Sequence, residues 1–200
     1  MKLILFGLIA FCGLALPGAA IAAESGKPRV LVVYYSKSGN TEAVAKMIQE
    51  KTGGDIYEIE TVRPYTRERP AAADIPKEER ETGNLPELKG ALPDISQYDV
   101  VLIGSPIWWY TVSTPVMTFL RDTDFQGKTV AGFYTVAGDG RNFDKDFRAQ
   151  ARNAQVGESI GFRGTYDTGR GEQPDGRAYQ QGRREQVGKQ LDTWLAKILQ

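Results

Sequence analysis

Unbroken apolar runs constrain the fold of this chain more than any other feature. Val100-Val101-Leu102-Ile103 lacks the alternation of a strand with one wet face, and Val30-Leu31-Val32-Val33-Tyr34-Tyr35 is a similar run. A continuously apolar strand suits a parallel sheet covered by helices on both faces. The segments between the runs change to helical period. Ala43, Val44, Met47 and Ile48 place an apolar stripe on a helix over 42–51, which Gly53-Gly54 ends.

The alternation continues. Ile56, Tyr57 and Ile59 mark a second strand over 55–61. Further strands are expected over 99–104, 128–136 and, more weakly, 159–164. A helix over 113–121 tolerates Pro115 in its first turn. Phe143 and Phe147, one turn apart, mark a helix over 142–153, and Val187, Leu191, Trp194, Leu195 and Ile198 share one face of a terminal helix. Residues 62–97 differ: Pro64, Pro70, Pro76 and Pro86 lie among many charges. They read as a long surface excursion with a helical turn or more around 77–82, or as a solvated linker. The expectation is one α/β domain over 29–200, with a five-stranded parallel sheet between two helical layers.

What the chain lacks is equally informative. It has 200 residues with 25 basic and 25 acidic side chains, a balance that does not suggest a nucleic-acid partner. It has no histidine, and its one cysteine is Cys12. These absences remove Ser-His-Asp and Cys-His nucleophiles and every metal site built on imidazole or thiolate. Residues 1–22 read as a secretory signal peptide. Met1-Lys2 is followed by an apolar stretch, a Pro17-Gly18 break and the small-x-small sequence Ala20-Ile21-Ala22. The stretch is short of the roughly 20 residues of a membrane span. Phe11 ahead of Cys12 disfavours a lipoprotein signal, and no twin-arginine pair precedes the apolar stretch. A periplasmic or secreted protein, with no membrane span after cleavage, is expected.

Three segments at strand carboxyl ends have compositions suited to a ligand, which is where open parallel sheets bind them. Ser36-Lys37-Ser38-Gly39-Asn40-Thr41 joins a strand to a helix. Its small residues and the unpaired N–H groups of the helix start make an anion trap. Gly104-Ser105-Pro106-Ile107-Trp108-Trp109-Tyr110 carries three consecutive aromatics, of which at least one is expected to pack inward and another to lie against a flat ligand. Val136-Ala137-Gly138-Asp139-Gly140-Arg141-Asn142 brings glycine-flanked backbone to the same end. Asp139 suits either a hydrogen bond to a ring N–H or a turn.

These residues resemble the flavodoxin family. Residues 36–41 match its phosphate motif, Thr/Ser-x-Thr/Ser-Gly-x-Thr. Tyr34-Tyr35-Ser36, Gly104-Ser105-Pro106-Ile107-Trp108-Trp109, Phe119-Leu120 and Gly127-Lys128-Thr129-Val130 are similar to a flavodoxin-like subgroup, over roughly 29–164. The resemblance implies a three-layer α/β/α sandwich with strand order 2-1-3-4-5 and FMN as cofactor. It implies that Ser36, Ser38, Gly39, Asn40 and Thr41 hold the FMN phosphate. Pro106, Ile107, Trp108 and Trp109 would flank the isoalloxazine ring, and Ala137, Gly138 and Asp139 would close on its other side. Where the subgroup has a Ser/Thr-Gly-Gly-Ser-like third loop, this chain has Ala137-Gly138-Asp139-Gly140.

The favoured function is an FMN-binding redox protein, acting in electron transfer or in NAD(P)H- or quinone-type reduction with an unidentified partner or acceptor. No side chain is assigned a catalytic role, and no metal is expected. The alternative is an exported non-redox module whose altered site binds another phosphate-bearing ligand. A hydrolase using Ser36 or Ser105 has no histidine to activate the hydroxyl.

Overall fold

A computed structural model of the chain describes residues 26–66, 71–164 and 181–200. The proposed leader, residues 1–22, lies outside the described residues. The elements run β1 (Val30–Tyr34), α1 (Asn40–Thr52), β2 (Asp55–Glu58), α2 (Ala71–Thr82), β3 (Val100–Trp108), β4 (Thr111–Val112), α3 (Thr114–Asp122), β5 (Thr129–Val136), α4 (Phe143–Gln150), β6 (Gln155–Val156), β7 (Ile160–Arg163) and α5 (Gln181–Ile198).

The sheet order is β2-β1-β3-β5-β6, with β7 also on β5 and β4 on β3. Every pairing is parallel except β3 with β4. The five principal positions follow the expected 2-1-3-4-5 order. Two short strands share the last of them. Val130 pairs with Val156, but Phe133 pairs with Ile160, so the edge carries one extra residue between β6 and β7. That interruption hid β6 from sequence pattern.

Buried residues alternate along the central strands, as a doubly covered sheet requires. Val30, Val32, Tyr34 and Leu102 pack with Val44, Met47 and Ile48 of α1 and Leu191 and Trp194 of α5. Leu31, Val33, Val101 and Ile103 pack on the other face with Val116, Phe119 and Leu120 of α3 and Phe143 and Phe147 of α4. The apolar stripe of α5 is buried as its spacing predicts. Gly53 ends α1 in the left-handed region at φ 69°, with its N–H on Gln49 O.

The strand expected over 55–61 ends at Glu58 and the helix expected over 142–153 ends at Gln150; two further departures from expectation matter for the site. The strand expected over 99–104 continues to Trp108, because β4 folds back on it: Ile107 pairs with Val112 and Trp108 with Thr111. The excursion holds a three-turn helix, α2, which contains the turn or more expected around 77–82 and begins earlier, at Ala71. Pro76 lies inside this helix and is buried. Read locally, Pro76 signals a break; packing overrides it.

Gly104 is required by close approach. A Cβ there would lie 2.3 Å from Cζ of the fully buried Phe133 ring. Gly138 has nothing within 4 Å of the same position. Gly104→Ala should therefore lower unfolding stability by about 1–3 kcal/mol, the usual cost of overpacking. Gly138→Ala should leave it unchanged, and urea midpoints of the two variants test the contrast.

Candidate functional site

The first loop is preshaped by its own hydroxyls. Gly39 N–H donates to Ser36 Oγ at 3.1 Å, and Asn40 Nδ2 donates to Ser38 Oγ at 3.1 Å. Gly39 takes φ 82° as the residue preceding α1, and no side chain caps the helix start. The first helical bond is Ala43 N–H to Gly39 O. The N–H groups of Thr41 and Glu42 therefore precede the helical ladder, where donors and dipole together favour an anion. Thr41 is buried, and its hydroxyl lies 2.8 Å from Thr135 Oγ1 of β5. That contact fixes the helix start against the sheet. Gly164, at the end of β7, passes close to Asn40.

The aromatic segment is a hairpin rather than an irregular loop. Trp108 and Thr111 pair, so Trp109 and Tyr110 form a two-residue turn with φ 50° and 69°. Both values are left-handed, and such turns ordinarily take Asn-Gly. Each side chain there costs about 1–2 kcal/mol of backbone strain. Bonds from both sides hold the turn. Trp109 Nε1 donates to Ala73 O at 3.0 Å, Arg80 Nη1 donates to Trp109 O at 3.1 Å, and Asn142 N–H donates to Tyr110 O at 3.1 Å. Its base is pinned by Thr111 Oγ1 donating to Asp146 at 2.6 Å. Ser105 is fully buried and bonded to Ser113, which makes it a structural hydroxyl and removes it as a nucleophile.

The three aromatics diverge. Half-buried Trp108 meets Tyr35 edge-on at 5.5 Å and Tyr65 at 4.8 Å. It is the inward-packing member of the run, while Trp109 and Tyr110 remain 40% and 47% exposed. Each ring carries a cation over its face: Lys37 at 5.7 Å from Trp108, Lys77 at 5.6 Å from Trp109 and Arg141 at 4.4 Å from Tyr110. Two of these cations are paired with carboxylates, Arg141 with Asp139 and Lys77 with Glu81, so the charge at the rim is largely balanced.

The third loop lies beside this hairpin. A Cβ on Gly140 would approach Tyr134 at 3.0 Å and Ile107 at 3.2 Å, so glycine permits the contact. Ala137, Gly138 and Asp139 are exposed. Asp139 Oδ1 accepts the Arg141 N–H at 2.8 Å and Oδ2 pairs with Arg141 Nε at 3.0 Å. Of the two roles open to Asp139, the turn role is the one its bonds fill.

All three loops converge at the carboxyl ends of β1, β3 and β5. Pro106 pairs with Thr135 within the sheet, Ile107 touches the third loop, and Trp108 faces the first loop's side. Trp109 turns to α2 instead. Sequence reasoning missed Tyr35, Tyr65 and Glu79. Tyr35 directly precedes Ser36 and was legible as an aromatic at a strand end. Tyr65 and Glu79 lie in the excursion, where no periodicity marks them. Tyr65 Oη donates to Glu79 Oε2 at 2.5 Å, Thr114 Oγ1 donates to the same oxygen at 2.7 Å, and the two hydroxyl oxygens are 3.0 Å apart. Burial, with the Glu79 charge adding to it, pushes the Tyr35 and Tyr65 phenols well above the ordinary tyrosine range.

The flavodoxin family model matches residues 29–160, the segment that builds all three loops. The chain belongs to the flavodoxin family. It is 30% identical over 106 residues to Flavodoxin 1 of Escherichia coli K12, covering 51% of this chain and 46% of that protein. It is 31% identical over 104 residues to the flavodoxin of Haemophilus influenzae, covering 50% and 45%. The chain thus spans about half the length of the curated relatives it matches. Among solved structures, a flavoprotein of Lactobacillus acidophilus in complex with FMN is 26% identical with a TM-score of 0.62, over 67% of this chain and 93% of that one. A Bacteroides uniformis protein assigned as a flavoprotein is 25% identical with a TM-score of 0.66, over 84% and 99%.

In this flavodoxin-family chain the phenols beside the first loop give a test of the geometry. Raised folded pKa values mean that the native state keeps protons which the unfolded chain loses above pH ~10. Their stabilising contribution is complete below that pH and is lost as pH rises beyond it. Absorbance titration of the phenols should show late ionisation of Tyr35 and Tyr65. Tyr65→Phe should reduce the alkaline loss of stability in urea unfolding.

Proposed function

We propose that this chain binds FMN among the three loops and serves flavin-dependent reduction or electron transfer. The observation that carries the reading is the uncapped α1 start, with Gly39 at φ 82°, on the same side as the Trp108 ring. Backbone donors there suit a phosphate. The half-buried indole and the glycine-lined third loop suit a flat ring system. Ser36, Ser38, Gly39, Asn40 and Thr41 would hold the phosphate end. Pro106, Ile107 and Trp108, with Ala137, Gly138 and Asp139 opposite, would border the ring, while Trp109, bonded to Ala73 O, braces the hairpin against α2. FMN supplies the redox chemistry when bound, and the protein sets access and electrostatics. The Lactobacillus acidophilus flavoprotein, solved in complex with FMN, supports FMN as the ligand.

The cations on Trp108, Trp109 and Tyr110 bear on the partner. Lys77 and Arg141 are paired with Glu81 and Asp139, and the even balance of 25 basic and 25 acidic side chains does not favour docking through an acidic face. This supports the NAD(P)H-type reductase over the pure carrier. A second reading rests on Asp139, whose carboxylate is engaged by Arg141: the loop would then serve another phosphate-bearing ligand with no redox step. Export through the leader over 1–22 is part of the proposal, and amino-terminal sequencing of the mature protein tests it.

Titration of the purified protein with FMN decides between the readings. Micromolar binding with quenched flavin fluorescence is expected, and its absence would leave the non-redox module. Gly39→Val should weaken FMN by about tenfold or more through left-handed strain and a blocked approach. Trp108→Ala should cost a similar factor through loss of the ring wall. Steady-state turnover of reduced nicotinamide with a quinone is expected. No turnover in FMN-loaded protein would favour the carrier.

A further inference from the structure

The excursion between β2 and β3 encloses a cavity that the three loops do not use. Its neck is closed by a short ladder. Val62 N–H donates to Glu87 O at 3.0 Å, Lys89 N–H donates to Glu60 O at 2.9 Å, and Thr61 bridges Leu88. Beyond the neck the chain opens around ≈ 450 Å³, within the roughly 300–1,000 Å³ of small-molecule pockets. Val62, Pro64, Ile75, Leu85 and Pro86 give it apolar walls. Val62 and Ile75 remain 52% and 40% exposed, which leaves large apolar side chains uncovered at this cavity.

One wall is different. Tyr65 and Glu79 line it, and both hydroxyl donors of the Tyr65–Thr114–Glu79 cluster converge on the single oxygen Oε2. These donors are neutral. Among the described residues no lysine or arginine forms an ion pair with Glu79, although Lys77 and Glu81 on the same helix pair with each other. Arg63 and Glu87 also border the space, so its described lining residues hold two carboxylates against one guanidinium. A half-buried carboxylate against apolar walls lacks the compensation that a cation supplies. An anionic ligand would meet like charge, and a neutral apolar one would desolvate Glu79 further without pairing it.

We propose that this cavity binds a small amine with an apolar body, its ammonium pairing with Glu79 Oε1 and its body lying against Ile75, Leu85 and Pro86. The site is distinct from the FMN loops and does not depend on them. It adjoins them through Tyr65, whose hydroxyl faces the cavity cluster while its ring packs on Trp108 at 4.8 Å.

Benzylamine is a suitable probe, with benzyl alcohol and benzoate as controls of the same shape, titrated into the full chain by NMR and calorimetry. Benzylamine should bind at millimolar concentration or tighter, perturbing Tyr65, Ile75 and Leu85, and benzoate should not bind. Glu79→Gln keeps acceptors for both hydroxyls and should weaken benzylamine about tenfold or more. Ile75→Trp, a substitution at a partly exposed helix position, should block the cavity in a folded protein. Equal binding of benzylamine and benzyl alcohol, undiminished binding to Glu79→Gln or to an Ile75→Trp variant shown folded by circular dichroism, or perturbation confined to other faces would each overturn the proposal, as would no benzylamine binding to the unmutated chain. FMN affinity is measured separately, so failure of the flavin reading leaves this result standing, and the reverse holds.

Discussion

The pairing of β1 with β2 on one side and β3 on the other is the constraint on which the rest depends. Both ladders are parallel, so their carboxyl ends finish at one edge of the sheet, with Tyr34 opposite Glu58 and Gly104. The chain leaving β1 must then turn over that edge to begin α1, which aims the helix start at the space above β3. Tyr35 N–H to Gly104 O, at 3.1 Å, extends the ladder one step and sets where Ser36 begins. Gly104 lets the Phe133 ring lie across β3, and β5 brings Thr135 against Thr41. A phosphate-sized donor set, an aromatic wall and a glycine-lined edge meet because three parallel strands end together.

The hairpin beyond β3 shows how the excursion serves that edge. Two large residues with positive φ are unfavourable by themselves, and three backbone-directed bonds offset the strain. Two of those bonds come from α2 and one from the third loop. Strain in the turn is thus maintained by elements on both of its sides. The same helix supplies Glu79 to the hydroxyl cluster on Tyr65 and Thr114. The excursion is a wall that positions Trp109, supports Trp108 through Tyr65 and encloses a cavity of its own.

Much of this was legible in the chain, for specific reasons. The continuous apolar strands announced a doubly covered parallel sheet, and Gly53 marked the end of α1 because only a left-handed residue ends it there. Residues 36–41 were readable as an anion loop because the donors are backbone groups, whose direction follows from strand-loop-helix order. The roles of Trp108 and Trp109 were not separable by sequence. They are neighbours, and only the turn sends one ring to Tyr35 and the other to Ala73. Likewise Pro76 reads locally as a helix breaker, yet α2 runs through it because the surrounding packing accepts it.

The strand order was implied by the resemblance of the loop motifs to flavodoxins; the sequence by itself determined the layer architecture and the chemistry left available once histidine and all but one cysteine are absent. Those properties follow from periodicity and composition, which are local and additive. Tertiary structure alone decided that Asp139 is spent on Arg141, that cations cover the three aromatic faces, and that Tyr65 and Glu79 meet Thr114 across 49 and 35 residues of chain. Contacts over such separations depend on how loops of unrestrained sequence close, and no pattern within the loop encodes its partner.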